Sequence, residues 1–81
     1  MERSLQYNGY ETVAKPLLLD APRRWSVDID IVRQEAGKVH VKHFSAEETL
    51  HIEEEAIASS LAFGHKIIDG KQPGIPRSQL P

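Results

Sequence analysis

The chain of 81 residues has no cysteine, which excludes disulfide staples, thiol chemistry and thiolate zinc sites and suits a reducing compartment. No stretch approaches the roughly eighteen consecutive apolar residues that a membrane span needs. The first twenty residues also lack a basic start leading into an apolar run, so neither secretion nor membrane spanning is expected and the cytoplasm is the default location. Neither sign of charge dominates. Ten Lys plus Arg against twelve Asp plus Glu leave a net charge of −2, too balanced for nucleic-acid binding driven by bulk electrostatics. The five glycines stand singly, so there is no Gly-x-Gly-x-x-Gly, no phosphate-binding loop and no Gly-x-Ser-x-Gly elbow.

What remains is an ordinary globular composition, 40% hydrophobic and 27% charged, in a chain long enough for one small core. Residues 1–45 carry seven basic and six acidic side chains, and residues 46–81 carry three and six. That division falls where the periodicity changes from two to 3.6.

Trp25, Val27, Ile29 and Ile31 alternate with Ser26, Asp28 and Asp30, the pattern of a half-buried strand. Val39 and Val41 resume the period after Glu35-Ala36-Gly37, which reads as a three-residue hairpin loop with Gly37 in the left-handed conformation. In that register Gln34 pairs with Lys38, Ile31 faces Val41 on the inner side, and Asp30 faces Lys42 on the outer side. Strict parity then puts Phe44 on the outer face with Asp28, unless a bulge near His43 turns it inward. Upstream, Gln6–Lys15 reads as a strand with an unclear face near Gly9, ended by Pro16. The connection 17–24 brings three leucines expected to lid one edge of the core.

In the second half, Ala56, Ile57, Ser60, Leu61, Phe63, Gly64, Ile67 and Ile68 form one stripe at 100° per residue, the mark of an amphipathic helix. Glu53 places its start near Ile52 or Glu53, because a helix from Ala46 would bury that carboxylate. Gly70 serves as its terminating glycine. Ala56, Ser60 and Gly64, spaced by four, make a groove that the chain's own sheet, through Trp25 and the tyrosines, is expected to fill, the alternative being a helix from a second subunit. Asp69 sits at the unfavourable negative end of the helix, where Arg23, Arg24 or a loop amide would compensate it.

The expected fold is α+β: a three-stranded antiparallel meander with one C-terminal helix packed on one face, over residues 6–70, followed by a flexible tail over residues 71–81. Two segments, Tyr7-Asn8-Gly9-Tyr10 and Trp25-Ser26-Val27-Asp28-Ile29, open a set of motifs continued by Phe44 with Leu50, Glu54-Glu55-Ala56 and the run Phe63–Gly70. Together these resemble a family of short, uncharacterised proteobacterial proteins, over roughly Tyr7 to Gly74. That resemblance implies a small antiparallel sheet with one C-terminal helix and no established activity. Where the family pattern places a threonine cap, this chain has Ile52. A weaker likeness is to small proteins of the HlyU type, transcriptional activators whose longer basic helix is not present here.

No side-chain constellation points to an enzyme. Glu53-Glu54-Glu55 complements the positive helix end, and three adjacent helical carboxylates cannot converge on one ion. His40 and His43 face opposite sides of a strand, His65 lies on the polar helix flank and Ser60 points into the apolar stripe. Neither a metal, a cofactor nor a catalytic residue is therefore expected. The open sheet face or an edge strand is the expected interaction surface, with Asp30, Val32, His40, Lys42 and Phe44 as contact residues for a protein partner or a weak homo-oligomer. The alternative is weak nucleic-acid binding through Lys15, Arg23, Arg24, Arg33, Lys38 and Lys42, with Tyr7, Tyr10 or Phe44 stacking on bases.

Overall fold

A computed structural model describes residues 3–20 and 22–81. The fold is α+β with an antiparallel sheet and one helix, but the sheet has five strands where three are expected. These are β1 (Arg3–Tyr7), β2 (Tyr10–Ala14), β3 (Leu18–Asp20), β4 (Arg23–Glu35) and β5 (Lys38–Leu50), followed by α1 (Glu53–Ile68) and a 3-10 turn at Arg77–Gln79. The long strand β4 is central: β2 pairs with its second half and β3 with its first three residues, while β5 runs along its other side.

The expected strand over Gln6–Lys15 is a hairpin instead. Asn8 and Gly9 take φ of 48° and 86°, a two-residue turn of the primed type for which Asn-Gly is the preferred sequence, and Tyr7 pairs with Tyr10. The leucines of the 17–24 connection do not lid the core. Leu17, Leu18 and Leu19 are 62%, 40% and 41% exposed, because β3 only extends the sheet beside Arg23–Trp25; Ala21 of that connection lies outside the described residues.

The second hairpin differs from expectation by one residue. Glu35 pairs with Lys38, Asp30 with His43, Ile31 with Lys42 and Ile29 with Phe44. Its turn is therefore Ala36-Gly37, at φ of 51° and 78°. A three-residue loop would ask a positive φ of Gly37 alone; this turn forces it on an alanine at a cost of about 1–2 kcal/mol. The gain is larger: the register seats Phe44, 6% exposed, beside Ile29 in the core, and burying a phenylalanine is worth roughly 1.5–3 kcal/mol. No bulge at His43 is needed. The irregularity lies farther on, between Ser26 and Val27, whose partners Thr49 and Ala46 leave Glu47 and Glu48 looped out of register.

The helix stripe is buried as the periodicity predicts, from Ala56 through Ile68. Ile52 stands at the N-cap without a side-chain cap bond. At the other end the N–H groups of Gly70 and Lys71 donate to the carbonyls of Ile67 and Lys66 at 3.1 and 2.9 Å, with Gly70 at φ 74°, a Schellman ending. The small-residue groove is filled by the sheet, with Ile29 and Thr12 nearest at Gly64 and the Asp28 backbone at Ser60. A Cβ on Gly64 would stand 3.0 Å from Ile29 and 3.5 Å from Thr12, and the buried Ser60 hydroxyl accepts the Asp28 N–H at 3.2 Å. Beyond the helix, Ile75 and Leu80 pack half-buried against the core cluster.

Candidate functional site

Strand length decides which part of the sheet stays open. A 16-residue helix is about 24 Å long, whereas 13-residue strands reach about 43 Å. The helix therefore covers only part of the β4–β5 hairpin, which beyond Val32, the last residue of β4 paired to β2, continues as a two-stranded arm.

Along this hairpin the apolar side changes face. Near the helix, Val27, Ile29 and Ile31 point inward and are at most 1% exposed, with Asp28 and Asp30 on the outer face. From Arg33 onward the helix-side positions are polar: Arg33 pairs with His40 and Glu35 with Lys38. The valines lie on the other side. Val32 pairs with Val41 on the outer face, and Val41 and Val39 are 56% and 61% exposed. Val13, paired with Asp30, shares that face. A single register produces both halves, since opposite residues of an antiparallel pair always share a face.

The residues expected at an interaction surface are thus divided between faces. Asp30 and Val32 lie on the outer face; His40 and Lys42 lie on the helix side of the arm, exposed; Phe44 is buried under the helix. Val39 and Val41, assigned to the inner side by the shifted register, are the apolar outer residues that sequence reading missed. Their parity relative to Phe44 was a usable signal, because Phe44 and Val41 cannot both face the core in one straight strand.

At the root of the arm the outer face carries an ionic cluster. The Asp30 carboxylate accepts from His43 Nδ1 at 2.6 Å and lies 2.9 Å from Lys15 Nζ. His43 Nε2 stands 3.0 Å from Asp28 Oδ1, and the Ser26 and Ser45 hydroxyls both donate to Asp28. Burial pushes the Asp28 acid upward, but these hydroxyls and His43 outweigh it and hold it below the usual carboxylate range. Burial likewise opposes Asp30, which Lys15 and His43 hold low. His43 is raised, chiefly by its bond to Asp30 and further by Asp28, against burial. Each ring nitrogen of His43 stands against a carboxylate, an arrangement that favours its protonated form and lets two cations balance the two carboxylates.

Ser45, His43 and Asp30 have the sequence of contacts of a nucleophile, base and acid, with Ser45 Oγ 3.3 Å from His43 Nε2. Asp28 diverts that arrangement: it accepts the Ser45 hydroxyl hydrogen and lies against Nε2, so the serine donates to a carboxylate and not to the ring nitrogen. The cluster is an ionic staple between β4 and β5. Among the described residues, no group of three or more His, Cys, Asp or Glu could hold a metal ion.

The remaining histidines and the expected cations have other occupations. His51 Nε2 accepts from Arg24 at 2.8 Å, while Arg24 also donates to the Thr49 hydroxyl and carbonyl at 2.5 and 2.7 Å. His65 stacks on Tyr7 with ring centroids 4.0 Å apart. Tyr7 donates to Asp69 at 2.8 Å, so the tyrosine, rather than an arginine or a loop amide, compensates that carboxylate. Arg33 pairs with Glu35 at 3.1 Å. A cleft of about 370 Å³ runs between α1 and β5, floored by Val27, Ala46 and Phe63 and rimmed by Glu48 and Lys66. No helix among the described residues is long and apolar enough to cross a membrane. The chain matches no protein-family model, no curated protein and no solved structure.

Proposed function

We propose that the chain is a cytoplasmic protein-interaction or regulatory module that docks through its β4–β5 arm and has no catalytic role of its own. The observation that carries this reading is the change of face: Val32, Val39 and Val41 form an apolar strip on the outer face, the side of the sheet that carries no helix, while the helix-side positions of the arm are polar. Exposed aliphatic side chains gathered on one face of a projecting hairpin favour a protein partner over solvent. The ionic staple keeps the arm's root in register and gives the strip a polar border. Lys15, Arg24 and Arg33 are engaged within the fold, Tyr7 is stacked and Phe44 is buried, which supports a protein ligand over a nucleic acid.

The motifs resembling the short proteobacterial family serve folding in this reading. Asn8-Gly9 makes a turn and Gly70 ends the helix. The test is capture of partners from the source cell with the wild-type chain and with Val41→Asp, a change at an exposed position. A partner retained by the wild type and lost by the variant is expected; equal retention by both overturns the docking face.

A further inference from the structure

We propose that the partner is a second copy of this chain, joined antiparallel along the outer edge of β5; this rests on the arm being the docking element. Three observations converge. First, β5 pairs only with β4 among the described strands, leaving a 13-residue edge whose main-chain groups can extend the sheet. Second, the charges along that edge are sorted. Lys38, His40 and Lys42 occupy its first half and Glu47 and Glu48 its second. Antiparallel self-pairing about a two-fold axis at His43, which sets outward-bonding residues such as Val41 and Ser45 opposite one another, lays each basic half along the partner's acidic half, twice.

Third, there is room. The helix packs chiefly over β4 and β2, and where it approaches β5 a cleft opens between them beside Ala46 and Glu48. A second sheet can come alongside without meeting a helix.

The direction of the edge groups supplies a sharp probe. The Lys15 N–H donates to the Asp28 carbonyl, so even-numbered residues of β4 bond toward β2 and odd-numbered ones toward β5. Ile31 then exchanges bonds with Lys42, its partner, and the N–H of Val41 points to the outer edge. Proline is tolerated on an edge strand where the lost N–H faces outward. Val41→Pro therefore removes an intermolecular donor and leaves the ladder to β4 intact.

Sedimentation equilibrium over a hundredfold concentration range, with circular dichroism to confirm folding, is the experiment. The wild type is expected to move from 9.1 kDa to twice that mass. Val41→Pro, Lys38→Glu/Lys42→Glu and Glu47→Lys/Glu48→Lys are each expected to stay monomeric, at least tenfold weaker in self-association. An equimolar mixture of the two charge-reversed chains is expected to recover the dimer. A wild-type monomer throughout overturns the proposal and leaves docking to another protein standing. A dimer that survives all three variants but is lost in Val32→Ser also overturns it, in favour of pairing through the outer face.

Discussion

The two edges of the sheet are finished in opposite ways. Strand β1 is five residues long and is fastened to the helix at both ends, by Arg3 to Glu54 at 3.3 Å and by Tyr7 to Asp69. Strand β5 is 13 residues long, buries Phe44 in the core, and carries an open arm. A short strapped edge has little main chain to offer a neighbour; a long one with charges and a two-residue irregularity is shielded from random pairing yet open to a matching partner. The first edge closes the fold and the second extends it.

The severest way to break this contrast is to lift the helix from both. Gly64→Leu forces a side chain into Ile29 and is expected to cost about 1–3 kcal/mol, whereas Ala62→Leu, on the exposed flank, should stay within about 0.5 kcal/mol of wild type. Urea denaturation of the pair measures this, and equal midpoints would refute the close approach. Next comes the turn of the arm. Gly37→Val is expected to destabilise by about 1 kcal/mol or more, and Ala36→Asn to stabilise by roughly 0.5–1 kcal/mol, because asparagine accepts the positive φ that Ala36 bears at 51°. Two changes of the same sign would contradict the two-residue turn.

The ionic staple sharpens the contrast through pH. His43 is raised above its unfolded value, so its contribution is complete below that value and is lost as pH rises through the folded one. Asp28 and Asp30 are lowered, so theirs is present above the unfolded carboxylate value and is lost as pH falls through the folded ones. Stability from the cluster therefore peaks in mildly acidic solution. The His43 side chain is 51% exposed, which limits the effect to about 0.5–1 kcal/mol. His43→Gln should flatten the decline of Tm on the alkaline side of that peak while leaving an acidic decline; an unaltered profile would show that His43 does not hold the strands.

The smallest effect is at the strapped edge. Tyr7→Phe removes the bond to Asp69 and is expected to speed amide exchange in β1 while leaving β5 unchanged. Tyr7 is raised by that bond, so its contribution is present below the ordinary tyrosine range and is lost as pH climbs through the folded value. Uniform exchange rates across both edges would remove the distinction between them.

Much of this was legible in the chain. The stripe from Ala56 to Ile68, the alternation from Val27 to Ile31 and the stop at Gly70 are local periodicities, each written in a few residues. Asn8-Gly9 was equally legible as a turn, but the mixed polarity of its short flanking strands let Gln6–Lys15 read as one strand with an unclear face near Gly9. The register of the second hairpin was not local. Ala36 resists the turn it adopts, so turn chemistry argued for a three-residue loop, and only the burial of Phe44 against Ile29 outweighed it. From that one-residue difference followed the pairing of His43 with Asp30 and the outward facing of Val39 and Val41.

By itself, then, the sequence determined the helix, its buried stripe and its end, and the inward face of β4, because short-range periodicity and residue type suffice for these. The tertiary structure alone decided the strand count, the partner of each β5 residue, the Tyr7–Asp69 strap and the face on which the valines lie. These depend on side chains 10 to 60 positions apart competing for one core, and the larger burial wins over the better turn.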